Sequence, residues 1–236
     1  MKRAFTLIEL LTVIAIIGIL AAILIPVVSS VRQSARSSKS IANLREIATA
    51  TNLYAEENNG FFPFMNFFGT GADADEQPGA GGGNTRWPVV LEPYLGHDVE
   101  RQADNPVLRH PIFNDPTVPE SERDDVSDYA ANWNVFLTVA IASRDRNGRA
   151  FRMPEVRDPS MKGMIVTGTS WQFRVGTLVG GDSEWVGGGD PGPPDPRLSS
   201  GAFGVAFIDG HVKAIRNEGE YAADVEVRRM MWDPTR

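Results

Sequence analysis

The sequence predicts an α+β chain: one long N-terminal helix packed on a small antiparallel β-sheet. Three observations carry this. Residues 5–28 are almost wholly Leu, Ile, Val or Ala, with Glu9 as the one charge. Residues 29–59 then turn polar without a Gly or Pro, and apolar or small side chains recur at Ile41, Leu44, Ile47, Ala48, Thr51, Tyr54 and Ala55. That i, i+3, i+4, i+7 stripe is one face of an amphipathic helix. Finally, residues 201–216 alternate around Asp209-Gly210, the strongest hairpin signal in the chain.

The helix is expected over residues 5–59, about 80 Å at 1.5 Å per residue. Its first 24 residues span about 36 Å, enough to cross a hydrocarbon core of roughly 30 Å. Lys2 and Arg3 precede the apolar run, and the positive-inside rule then points the rest of the chain out of the cytoplasm. The polar face of the second half carries Lys39, Asn43, Arg45, Glu46 and Asn52, and Asn58-Asn59-Gly60 is a stop signal. Inside the apolar half, Gly18 and Pro26 make a bend cheap, because proline lacks the backbone donor and crowds the preceding turn.

Beyond the helix the chain reads as loops and short elements. Residues 61–84 hold five phenylalanines and then a Gly-rich loop, the Phe cluster reading as loop anchorage rather than an interaction patch. Residues 87–96 suggest a short helix interrupted at Pro93, and the proline-dotted 104–121 an irregular stretch. Residues 128–142 read as a strand with helix as the competing reading, 164–169 and 171–179 read as strands, and 220–232 as a short helix. A two-residue turn at Asp209-Gly210 needs positive φ at both positions. It pairs Ile208 with His211, Phe207 with Val212 and Val205 with Ala214. Phe203, Val205, Phe207, Val212 and Ala214 then form the face that buries against the helix stripe. His211 falls on the other face as a partly exposed neighbour, not a ligand.

Composition removes several chemistries. With 23 Lys and Arg against 30 Asp and Glu, the net charge is −7, and no basic cluster offers a nucleic-acid footprint. Cysteine is absent, which excludes disulfides, thiolate metal sites and a Cys nucleophile. His97, His110 and His211 show no ligand spacing. Neither a phosphate-binding Gly loop nor a G-x-S-x-G elbow is present. Asp182, Glu184, Asp190, Asp195 and Asp209 form an oxygen-rich region of the kind calcium favours, but without EF-hand spacing. No metal or other cofactor is expected, with calcium as the alternative.

Glu9 is the residue that asks for an explanation. An unpaired acid within a bilayer costs about 2.5–3.5 kcal/mol on insertion scales, so it is a functional hypothesis by default. A secretory signal peptide cut after Ala22, or a plain membrane anchor, gives it no role.

The segment KRAFTLIELLTVIAIIGILAAILIP resembles the start of type IV prepilins and type II secretion pseudopilins. In that family a short basic leader is cut before Phe, the new amine is methylated, and the fifth mature residue is Glu. The matching positions are Ala4, Phe5 and Glu9, and Pro26 falls at the family's helix-kinking proline. Ala4 stands where Gly is usual. The downstream order loosely resembles a large-headed prepilin group with a His, nine residues, Asp-Gly motif. Asp209-Gly210 supplies its second half, whereas Ser199 holds the His position and His110 stands where a Cys is usual.

The resemblance implies a pilin-like fold with four parts: a leader (1–4), a membrane or filament-core half-helix (5–28), an amphipathic half-helix (29–59) and a globular head (60–236). It implies a filament subunit rather than an enzyme, with the pseudopilus favoured over an adhesive pilus. Expected partners are copies of itself, a prepilin peptidase, an inner-membrane assembly platform and membrane lipids, with no nucleic acid. The subunit is expected in the inner membrane as a single-pass protein with an extracytoplasmic head, and the filament in the periplasm or at the cell surface. The rival reading is a membrane-anchored extracytoplasmic binding domain or enzyme.

Overall fold

The computed structural model describes residues 7–64, 66–68, 84–96, 110–123, 126–132, 135–136, 139–140, 152–168, 172–173, 197–199 and 201–216. The Gly-rich segment, His97, the acids from Asp182 to Asp195 and the expected helix at 220–232 lie outside these residues.

Helix α1 (Leu7–Glu57) runs unbroken through Pro26. It stops because residue 59 turns left-handed: Asn59 has φ 56° and Gly60 φ 84°. The Gly60 N–H then donates to the Ala55 carbonyl at 2.7 Å, the six-to-one bond of a Schellman end. The chain leaves the helix tied down. Met153 N–H donates to the Gly60 carbonyl, Arg152 Nε donates to the Asn59 carbonyl, and the Arg152 guanidinium sits 5.2 Å from the Phe61 ring centre.

Among the described residues the main sheet of the head has five strands and packs on α1. In spatial order the strands are β6 (Gln172–Phe173), β3 (Tyr129–Asn132), β5 (Gly163–Thr167), β7 (Ala202–Phe207) and β8 (Val212–Arg216). All neighbours are antiparallel except β3 and β6. A second sheet orders β2 (Asn84–Arg86), β1 (Asn66–Phe68) and β4 (Val139–Ala140). Helix α2 (Trp87–Leu91) begins directly after β2 with Pro88 in its first turn, where a missing N–H costs nothing. A 3₁₀ turn, Glu92–Leu95, continues it and ends at left-handed Gly96.

Three sequence expectations change. The strand over 128–142 is two short strands in different sheets. The Asn132 carbonyl accepts from Val135 and Phe136 N–H groups, and its amide donates to the Gly163 carbonyl at 2.8 Å. These bonds turn the chain and bury Val135 and Phe136 in the core. Asn43, expected on the polar face of α1, is also buried.

The hairpin is the third change. Its loop has three residues, Ile208-Asp209-Gly210. Gly210 N–H donates to the Phe207 carbonyl, Phe207 N–H donates to the His211 carbonyl, and only Gly210 has positive φ, 90°. This is a type I turn followed by a left-handed glycine, the usual three-residue connection. Val205 therefore faces Lys213 rather than Ala214, and Phe203 faces Ile215. A one-residue slip exchanges the two faces of a strand. The small side of β7, Ala202, Gly204 and Ala206, lies against α1. Phe203, Val205 and Phe207 join Ala130, Val166 and Ile215 in a separate buried cluster. Ile208 enters the helix-side core. The helix selects this register because only small residues let it sit close: a Cβ on Gly204 would lie 2.9 Å from Ile41 Cδ1 and 3.0 Å from Leu44 Cδ2. His211 is exposed, as expected, but opposite Phe207; the two rings stack at 4.2 Å and 5°. Its Nδ1 lies 2.6 Å from Asp209 Oδ1.

Candidate functional site, an exposed apolar helix anchored by buried carboxylates

Large apolar side chains from Leu7 to Val31 on α1 are 45–83% exposed. A helix apolar all round must be covered by something other than its own head, a bilayer or other copies. At about 1.5 Å per residue, residues 7–28 reach some 33 Å. The helix is long and apolar enough to cross a membrane. Glu9 lies in its first turn and faces outward. A negative side chain there suits the positive end of the helix dipole. Gly18 has open space around it, and Pro26 removes one rung of the helix ladder. Ala4 and Phe5 lie outside the described residues.

What makes this helix a handle rather than a loose tail is how its second half is held. Leu44, Ile47, Ala48, Tyr54 and Ala55 pack into the head core with Trp87, Leu91, Tyr129 and Ile165. Tyr54 meets Tyr94 edge-on at 5.8 Å, and the Tyr94 hydroxyl donates to Glu57 at 2.6 Å. Burial, then the bond to Glu57, pushes the Tyr94 phenol up to about 12, so it remains a donor at neutral pH.

Toward the membrane half the contacts become polar. The Ser40 hydroxyl donates to Asp115 Oδ2 at 2.7 Å, and the Ser40 carbonyl accepts from the Tyr129 hydroxyl at 3.3 Å. The Asn43 amide donates to the Ile112 carbonyl at 3.2 Å. The Ser37 hydroxyl accepts from Ser199 N–H at 2.8 Å. His110 caps the 3₁₀ turn Pro111–Phe113, its Nδ1 accepting from Ile112 N–H. It is thus a buried structural residue.

Two carboxylates sit at the centre of this polar seam. Asp115 and Asp128 are both buried. Asp128 accepts the Asp115 N–H at 2.9 Å, and Asp115 Oδ1 accepts from both the N–H and the hydroxyl of Thr117. Burial raises the Asp115 carboxyl above its ordinary value. The bonds from Thr117 and Ser40 oppose this, and the Asp128 charge adds to it. A carboxyl raised in the fold binds its proton more tightly there than in the unfolded chain. Its contribution to stability is therefore complete below the unfolded value and is lost as pH rises through the folded one. Asp115→Asn keeps an acceptor for Thr117 and removes the buried charge. The variant should be at least as stable as the wild type at pH 7, and its advantage should shrink as pH falls into the carboxylate range. Thermal melts of detergent-solubilised chain across that range check this; an advantage that grows on acidification would contradict it.

Sequence reasoning missed Ser37, Ser40, Asn43, Asp115 and Asp128. The signal was present. Continuing the apolar stripe backwards by helical steps from Leu44 reaches Ser40 and Ser37, and polar groups on a core face require partners. The oxygen-rich acidic region, where calcium was the alternative to no metal, is represented among the described residues by Asp209 alone, which is bonded to His211. No group of three or more potential metal ligands occurs among the described residues.

Residues 1–25 match the family model of the prokaryotic N-terminal methylation motif. The chain is 33% identical over 150 residues to the type IV major pilin protein PilA of Myxococcus xanthus, covering 58% of this chain and 65% of that protein. It is 44% identical over 59 residues to the type IV wide pilus major component PilA4 of Thermus thermophilus, covering 25% of this chain and 45% of that one. It is 30% identical over 60 residues to the type II secretion system core protein G of Pectobacterium carotovorum, covering 25% of this chain and 38% of that one. These alignments span between about a third and two thirds of the relatives' lengths. No solved structure matches. The chain thus carries the prokaryotic N-terminal methylation motif over residues 1–25 and is similar in sequence to type IV pilins and a type II secretion core protein.

Proposed function

We propose that this protein is a structural subunit of a type IV pilus-like filament or type II secretion pseudopilus. The observation that carries the reading is the exposed apolar half of α1, continuous with a half fixed in the head. The membrane stores the subunit with its head outside the cytoplasm. A prepilin peptidase cuts between Ala4 and Phe5, the Phe5 amine is methylated, and an inner-membrane assembly platform draws the subunit into the filament. There the apolar helices pack on one another instead of on lipid. The Phe5 amine of one copy meets Glu9 of a neighbour, and two charges that are costly alone become tolerable as a pair. Gly18 and Pro26 let the intervening helix stretch. The head then serves as filament surface, and no catalytic role is assigned to it.

Two measurements test this. The intact mass of membrane-extracted protein should show loss of residues 1–4 and gain of a methyl group, whereas a chain beginning after Ala22 would overturn the proposal. Glu9→Val should remain in the membrane, with insertion improved because a buried acid is removed, and should enter filaments poorly. Normal incorporation of that variant would remove the Glu9 pairing from the mechanism.

A further inference from the structure

A cavity of about 680 Å³ opens where the apolar half of α1 meets the head. One end is walled by Leu24, Ile25 and Val28, the other by Arg32, Arg36 and Arg197, with Thr117 at its side. The wall changes from hydrocarbon to guanidinium over one helical turn, since Arg32 lies about 6 Å along the axis from Val28. That is close to the depth of one headgroup layer, about 5–7 Å per side of a bilayer.

The charge pattern points the same way. From Leu10 to Arg45 there is no Asp or Glu, while Arg32, Arg36, Lys39 and Arg45 are all cationic, in a chain of net charge −7. Arg32 and Arg36 stand four residues apart, on one helix face. Among the described residues neither has an ion-pair partner. Arg197 reaches the cavity from the head, and its guanidinium is bonded to Glu122 Oε2 at 2.7 Å. Cations at this end of the span also run against the positive-inside bias, so they need a local reason.

We infer that this cavity holds the headgroup of an anionic phospholipid from the outer leaflet. The phosphate diester sits against Arg32 and Arg36, with Arg197 closing over it, and the first acyl methylenes lie on Leu24, Ile25 and Val28. Arginine suits phosphate because its planar fork donates two parallel hydrogen bonds. The occupant is a lipid rather than a second copy's acidic surface because the anion site and the apolar wall form one cavity at membrane level. Bound this way, a lipid fixes the height and rotation of the stored subunit. The inference rests on the membrane-storage step proposed above.

The test uses full-length protein reconstituted in phosphatidylcholine vesicles, with spin-labelled phosphatidylglycerol or spin-labelled phosphatidylcholine as the probe. The wild type should immobilise phosphatidylglycerol preferentially. Arg32→Gln and Arg36→Gln should each lower that preference, by about fivefold per cation at most. Arg45→Gln, an exposed cation farther along α1, should leave it unchanged. An unselective wild type, or an equal loss with Arg45→Gln, would overturn the site. So would displacement of the lipid by millimolar inorganic phosphate, which would make it a free-anion site. Cross-linking from Arg36→Cys to a second copy in place of lipid would assign the cavity to a subunit contact instead. Alkaline carbonate extraction of the same vesicles separates the two readings. Protein released into solution defeats membrane storage itself, whereas protein retained but unselective defeats the lipid site alone.

Discussion

Alanine in place of Trp87 should lower the stability of the head by about 3–5 kcal/mol, the range for emptying a buried large aromatic site. The indole is fully buried. It meets Phe113 edge-on at 5.5 Å and Phe136 at 5.8 Å. Those two rings come from a 3₁₀ turn and from the turn after β3, so one side chain of α2 joins two irregular stretches. Neither stretch has a long ladder of its own to fall back on. Trp87→Phe keeps an aromatic at the joint and should cost much less. Denaturant titration of both variants in detergent measures the difference. A loss for Trp87→Ala within 1 kcal/mol of that for Trp87→Phe, on the same order-of-magnitude scale, would show that the joint is held by something else.

Valine at position 204 should cost about 1–3 kcal/mol through overpacking, and the cost should fall on the contact between helix and sheet. The added Cβ alone would sit 2.9 Å from Ile41 Cδ1, 3.0 Å from Leu44 Cδ2 and 3.1 Å from Thr167 Cγ2. The Gly204 N–H also donates to the Thr167 hydroxyl at 2.9 Å, so the strand has little freedom to retreat. Hydrogen exchange along residues 37–55 of α1 should quicken in Gly204→Val. Because the closest atom is the tip of Ile41, Ile41→Ala should recover part of the loss, a coupling visible in a double-mutant cycle. Strict additivity of the two substitutions would mean that the strain is relieved elsewhere.

The helix and its exposed apolar half were legible because both follow from local chemistry. A long apolar run, a helical stripe from Leu44 to Ala55 and a stop at Asn58-Asn59-Gly60 need no knowledge of the rest of the chain. The sheet register was not legible in the same way. Asp-Gly signals a turn but does not say whether two or three residues form it, and one residue decides which face of β7 meets the helix. Gly204 held the missing hint: a glycine inside a strand marks close approach of another element. The seam of Ser40, Asn43, Asp115 and Asp128 was hidden for a different reason. The bonds joining Ser40 and Asn43 to the head span 69 to 89 residues, and no local pattern announces that a serine faces inward. Position 9 was readable as costly from its surroundings alone, whereas the pairing proposed for it would involve more than one copy.

The attachment of α1 also sets how the subunit bears a load. From Ser37 to Ala55 the helix is held along about 27 Å of its length, by side-chain packing and by bonds from Ser37, Ser40 and Asn43 to separate parts of the head. A pull along the helix axis would strain these contacts together, in shear. A sideways pull at the membrane end would reach the Ser37 and Ser40 bonds first and peel the rest in turn. The head should therefore resist axial tension far better than lateral bending, a directional toughness that comes from the orientation of one helix rather than from the strength of any single bond.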